Sequence, residues 1–221
     1  MREIPGIPYQ FNDPALLELA LTHRSHGRRN NERLEFLGDS ILDFVVSARL
    51  FALKPDNDEG ELSRLRARVV RGDTLAKLAH DLNLGSYIRI GEGELKSGGF
   101  KRNSILADAL EAIIGAIYID GGFEPCEAAI LHICEPIIAN LPAAAELKDS
   151  KTRLQEWLQG RGFALPQYKL FGEAGPPHNK LFKVQCVAAE ADIEAVGKGS
   201  SRQKAEQDAA AVALAEIAGR T

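Results

Sequence analysis

The stretch Ser104–Ile119 constrains the fold more than any other part of the chain: sixteen residues, apolar nearly all round, that nevertheless carry two carboxylates, Asp108 and Glu111. A helix apolar on every side has to be buried, and an unpaired carboxylate there costs on the order of several kcal/mol. The two acids stand at i and i+3, hence on one face. No Lys or Arg occurs between residues 103 and 147 to pair with them locally. A cation must come from elsewhere in the fold or from solution.

A second acidic face lies in Asn31-Glu-Arg-Leu-Glu-Phe-Leu-Gly-Asp-Ser40. Glu32, Glu35 and Asp39 occupy i, i+3 and i+7, within about 60° of one another at roughly 100° per residue. Alone, three such acids suit a solvated helix face as well as a site. Together with Asp108 and Glu111, and without His or Cys beside them, they fit a hard, oxygen-seeking ion, Mg²⁺ with Mn²⁺ as a substitute. The lack of a Glu-x-x-His pair speaks against a di-iron bundle. Asp58-Glu59-Gly60-Glu61 precedes another helical pattern and offers a further ligand, although by itself it is ordinary loop charge. Ser40 has no His near it in sequence, so a nucleophilic serine is not expected.

Around these faces the apolar spacing is helical from Asp13 to about Leu141. Asp13-Pro14 reads as a cap followed by proline at the first helical position, and Gly72-Asp73 with Asn83-Leu84-Gly85 brackets another helix. The longest pattern, Asn31 to Leu53, spans about 34 Å and is expected to be the central helix. Leu141 to Asp149 opens with a breaker and has little periodicity, so the linker belongs there. The expected domains are residues 1–147, all-α, and 148–221. In the second, Ser150–Gln159 is helical; Tyr168/Leu170, Phe182/Val184/Cys186/Ala188 and Ile193/Ala195 alternate as short strands; and a helix from Ser201 to Ala218 buries Ala205, Ala209, Val212, Ala213 and Ile217. The order is α-β-β-β-α.

Charge separates the two parts. The chain's net charge of -4 argues in bulk against a nucleic-acid partner, but 17 Lys and Arg face 23 Asp and Glu before Ser150, against 10 and 8 from it onward. The first part is acidic and the second mildly basic, which suggests separate tasks. The last helix opens Gly197-Lys-Gly-Ser-Ser-Arg-Gln-Lys204. Ser200 and Gln203 are spaced as a capping box, while Arg202 and Lys204 sit where the helix dipole disfavours cations. That broken rule hints at phosphate binding at the helix start, although by itself it suits a solvated basic helix end still better. Cys126, Cys134 and Cys186 form no CxxC pair and are expected as reduced core residues. With no apolar run of membrane length and no signal segment, a cytosolic protein without a membrane partner is expected.

Residues 31–40 resemble the signature of the ribonuclease III family, and Leu95-Lys-Ser-Gly-Gly99 and Ser104-Ile-Leu-Ala-Asp-Ala-Leu-Glu111 resemble its later blocks. The second part is similar to a double-stranded-RNA-binding domain in Lys151-Thr-Arg-Leu-Gln-Glu156, the Gly175-Pro-Pro-His178 turn and the Gly-x-Gly-x-Ser entry to its last helix. The resemblance implies a multidomain homodimer, joined through its catalytic domains, that hydrolyses double-stranded RNA with Mg²⁺ to 5′-phosphate and 3′-hydroxyl ends, including ribosomal RNA precursors. It implies that Glu35, Asp108 and Glu111 bind metal, that Asp39 and Glu111 are catalytic, and that Glu32 and Glu59 act around the site or on the RNA. Gln155 and His178 would face minor grooves, and Arg202 and Lys204 the phosphates; His178 is equally a plain turn residue. Gln203 and Glu206 depart from the motif by removing two cations. The rival reading is a non-catalytic double-stranded-RNA-binding regulator, for which the clustered acids have no use.

Overall fold

The computed structural model describes residues 1–96, 98–176 and 180–220. It separates into two compact units, Met1–Glu146 and Leu147–Thr221, each with its own core.

The first unit is helical. Its elements are α1 (Pro14–Ala20), α2 (Glu32–Leu53), α3 (Glu59–Val70), α4 (Gly72–Asp81), a short α5 (Glu92–Lys96), α6 (Asn103–Gly121) and α7 (Phe123–Ile138). The helix starts follow local chemistry. Asp13 accepts from the Ala15 N–H with Pro14 behind it, and Asp58 with Glu61 forms a reciprocal capping box at α3, satisfying donors that a helix start leaves orphaned. Asp58 and Glu61 are thereby structural, and Glu59 is the exposed carboxylate of the cluster that the capping box does not use.

α6 is the core. Ile105, Leu106, Leu110, Ile113, Ile114 and Ile117 are all buried, and α1, α2, α4 and α7 pack around it. Its closest neighbour is α2, and two glycines explain why. A Cβ built on Gly38 would overlap the carbonyl oxygen of Glu111, and one on Gly115 would overlap the carbonyl oxygen of Leu34. The backbones therefore touch where side chains would normally keep helices 8–10 Å apart.

The second unit has the expected order: α8 (Ser150–Gln159), β1 (Gln167–Ala174), β2 (Leu181–Ala188), β3 (Ile193–Gly199) and α9 (Arg202–Gly219). The antiparallel sheet runs β1-β2-β3, with Cys186 between Tyr168 and Ala195 in register. Leu154, Leu158, Cys186, Ile193, Ala195, Ala209 and Ala213 form its core, with Trp157 packed at the edge. All three cysteines are buried and free. The Gly-x-Gly motif has a packing cause, since a Cβ on Gly197 or Gly199 would collide with the α9 backbone at Ala209 or Ala205.

Two local expectations are corrected. Ser201, not Ser200, caps α9, its Oγ accepting from the Lys204 N–H, so the Ser200/Gln203 box is not formed. Val212 faces solvent while Ala210 is buried, because α9 lies so close to β3 that its contact face takes alanines.

The glycine contact gives a direct test. Gly38→Ala should lower the unfolding free energy by about 1–3 kcal/mol, the usual cost of overpacking. Gly72→Ala, whose new methyl meets nothing within 4 Å, should be neutral or slightly stabilising. Equal denaturation midpoints for wild type and Gly38→Ala would show that the crossing tolerates separation.

Candidate active site

Because α2 and α6 meet at Gly38 and Gly115, the acidic faces of the two helices converge. Glu35 on α2 and Asp108 and Glu111 on α6 each present a carboxylate oxygen within 4.8 Å of the others, and all three are half-buried. Asp39 follows one turn along α2 and is exposed, as is Glu32 at the start of the helix.

The electrostatics are those of crowded like charges in a desolvated place. Burial, then the negative charges of Asp39, Asp108 and Glu35, push the Glu111 carboxyl up to about 8. Glu35 is raised by burial and by Asp108 and Glu32; Asp108 is raised by burial; Asp39 is raised by burial and by Asp43. Such a set of oxygen donors, with no nitrogen or sulfur, fits a divalent cation of the hard class.

Three contributors were not singled out in the sequence. Asp43 extends the α2 acidic face by one more turn, and its Oδ1 is buried without a hydrogen-bond partner among the described residues. The signal was present, since 32, 35, 39 and 43 continue one stripe. Arg24 and His23 are the other two: the positive Arg24 pulls down both Glu35 and Asp108, and His23 pulls down Asp108. They lie in the loop before α2, where no local periodicity marks them. Arg24 Nη1 stands 3.6 Å from Glu32 Oε1.

Glu59 is not part of the three-carboxylate group. It begins α3 and lines an apolar hollow with Phe44, Phe51 and Leu62. In the second unit Gln155 is exposed on α8, and Arg202 and Lys204 are exposed at the start of α9. Arg202 does have compensation, contrary to expectation: its Nε donates to Glu206 Oε1 at 3.0 Å, and Glu206 also accepts from Lys151 Nζ at 2.7 Å. The departure at Glu206 thus neutralises the helix start from within. His178 lies outside the described residues.

The profile of the Ribonuclease-III-like family matches residues 13–137, and that of the double-stranded RNA binding motif matches residues 150–217. The chain belongs to the ribonuclease III family. It is 55% identical over 207 residues to Ribonuclease 3 of Dechloromonas aromatica, covering 94% of this chain and 93% of that protein. To Ribonuclease 3 of Aliivibrio fischeri it is 53% identical, covering 96% and 95%. Among solved structures, the nuclease domain of ribonuclease III from Campylobacter jejuni is similar at 46% identity and a TM-score of 0.58, covering 61% of this chain and 97% of that one; its description concerns flexibility in a region involved in dimer formation. As a ribonuclease III the chain is a hydrolase that cuts double-stranded RNA with a divalent metal, and the regulator reading is not favoured. No helix among the described residues is long and apolar enough to cross a membrane.

The raised carboxylates set a pH dependence. An acid whose value rises on folding keeps its proton in the folded chain after the unfolded chain has lost it, so stability falls as pH rises through the window between the two values. For Glu111 that window runs from the ordinary 4.5 to about 8, and its three neighbours shift in the same direction. Metal-free protein should melt at progressively lower temperature from about pH 5 to about pH 8, and Glu111→Gln should flatten that slope. Parallel slopes in calorimetric scans of the two proteins would mean that Glu111 ionises normally.

Proposed function

We propose that Glu35, Asp108 and Glu111 hold the catalytic metal of this ribonuclease III, with Mg²⁺ as the ion and Mn²⁺ able to replace it. The observation that carries this reading is the set of three half-buried carboxylates whose ligand atoms lie within 4.8 Å of one another. Bound there, the ion would supply charge neutralisation at the scissile phosphate and make water more acidic. The protein's part is to keep that charge in place. Two packed helices fix the three carboxylates before substrate arrives, so little reorganisation is needed at the moment of reaction.

Asp39, exposed beside the group, takes the role of holding the attacking water and accepting its proton at a carboxylate oxygen. Glu32 and Glu59 act on the RNA around the cut. The products carry 5′-phosphate and 3′-hydroxyl ends, and structured transcripts such as ribosomal RNA precursors, met in the cytosol, are the substrates. Gln155, Arg202 and Lys204 meet the duplex by shape and phosphate rather than sequence, with His178 assigned to a groove by resemblance alone.

The working form is a homodimer joined through the catalytic unit. Phe36, Phe44 and Phe51 of α2 are 77%, 60% and 74% exposed, and at eight- and fifteen-residue offsets they share one face of the helix. A contiguous apolar stripe of that kind marks an interface. A second copy would place two cutting centres on one duplex, one for each strand.

Removing a ligand tests enzyme against binder. Glu111→Ala should reduce Mg²⁺-dependent cleavage of a long RNA duplex by several orders of magnitude, on the scale of metal-held charge stabilisation. Duplex binding by gel shift should persist. Cutting at the wild-type rate would remove Glu111 from the reaction.

A further inference from the structure

The segment between α1 and α2 reads His23-Arg-Ser-His-Gly-Arg-Arg29, three arginines and two histidines within seven residues of an otherwise acidic unit. A run of charge on a loop is ordinarily solvated and mobile. This one is fastened. The His23 N–H donates to the Arg89 carbonyl at 2.9 Å, the Arg89 N–H to the Leu21 carbonyl at 2.8 Å, and the Asn31 N–H to the Thr22 carbonyl at 2.9 Å. The Gly91 N–H donates to Ser25 Oγ at 2.9 Å, and a Cβ on Gly91 would overlap the Ser25 carbonyl. Within the loop, the Ser25 N–H donates to His23 Nδ1 at 3.2 Å.

The loop backbone that carries Arg24 is thereby held in a defined place beside the start of α2. Arg24 acts on Glu35 and Asp108, yet its ion pair among the described residues is the 3.6 Å approach to Glu32, and its side chain is 68% exposed. A guanidinium committed to a carboxylate would show short, paired contacts. Arg24 makes no such short paired contact among the described residues, and its guanidinium stands largely in solvent beside Glu32. Arg28 and Arg29 continue the exposed cationic edge.

We propose that this loop is a phosphate-binding element of the catalytic unit, with Arg24 gripping the RNA phosphate next to the metal group and Arg28 and Arg29 contacting flanking phosphates. The proposal rests on the metal-site reading above. It also resolves an electrostatic difficulty: an RNA backbone approaching the clustered carboxylates is repelled, and a guanidinium beside Glu32 offsets that repulsion where the chain must come closest.

Binding is measured in the full-length chain carrying Glu111→Gln, with Mg²⁺ and a long RNA duplex, and cleavage in the chain with Glu111 intact. Arg24→Ala should make the dependence of log K on log[salt] shallower by about one unit, and should lower kcat/KM by about 10- to 100-fold, the worth of a charged hydrogen bond. Arg24→Lys should recover the salt slope and not the rate, since it keeps the charge and loses the planar fork. Joint replacement of Arg28 and Arg29 by Ala should take about two units from the slope. An unchanged slope and rate in Arg24→Ala, with a lower metal-free melting temperature, would show that Arg24 is only a counter-ion for the acids and overturn the proposal. Failure of the metal-site reading has a different signature, cleavage that survives in the Glu111 variant itself.

Discussion

The gathering of the three carboxylates depends on how closely α2 approaches α6. Carboxylates on separate helices do not gather unaided; at an ordinary interhelical distance the Glu35 side and the Asp108/Glu111 side would be parted by a layer of side chains. Gly38 and Gly115 remove that layer by letting each backbone rest against the carbonyls of the other helix. The closeness is opposed by the charges it brings together; burial first, and those charges second, push the Glu111 carboxyl above the ordinary carboxylate range. Apolar burial along α6 supplies the compensating attraction. Like charges are thereby held close together, and a divalent ion bound among them, as proposed, would offset their repulsion.

This view explains which parts of the fold were legible beforehand. The buried character of α6 and the placing of Asp108 and Glu111 on one face follow from periodicity, and so does the shared face of Glu32, Glu35 and Asp39. What periodicity does not contain is which face meets which. Gly38 sits inside the same ten-residue motif as the acids, but its task is defined only by a carbonyl on a helix some seventy residues away. Arg24 is hidden for the same reason. It reaches the carboxylates because the bridge between Thr22 and Arg89 folds its loop back, a pairing that no local pattern announces. Asp43 is legible in the sequence, since the acidic stripe of residues 32, 35 and 39 simply continues to it.

The second unit shows how a local rule can mislead. Cations in the first turn of α9 looked uncompensated, yet Glu206 holds both Arg202 and Lys151. A residue that seemed to subtract from RNA binding therefore also fixes the geometry of the helix start. Lys204 keeps its exposed position there. On the proposed reading the charge difference between the units has a plain meaning: the gathered acids of the first unit hold cations, and the basic loop beside them meets the RNA.

The central claim is that α2 and α6 together form one inner-sphere metal site, and the anomalous scattering of Mn²⁺ in crystals of the protein locates such an ion directly. The account predicts a peak at about 2.1 Å, the inner-sphere distance of a small hard cation, from oxygens of Glu35, Asp108 and Glu111 together. A peak bound to only one of the two helices, or no ordered ion among these three carboxylates, would contradict it.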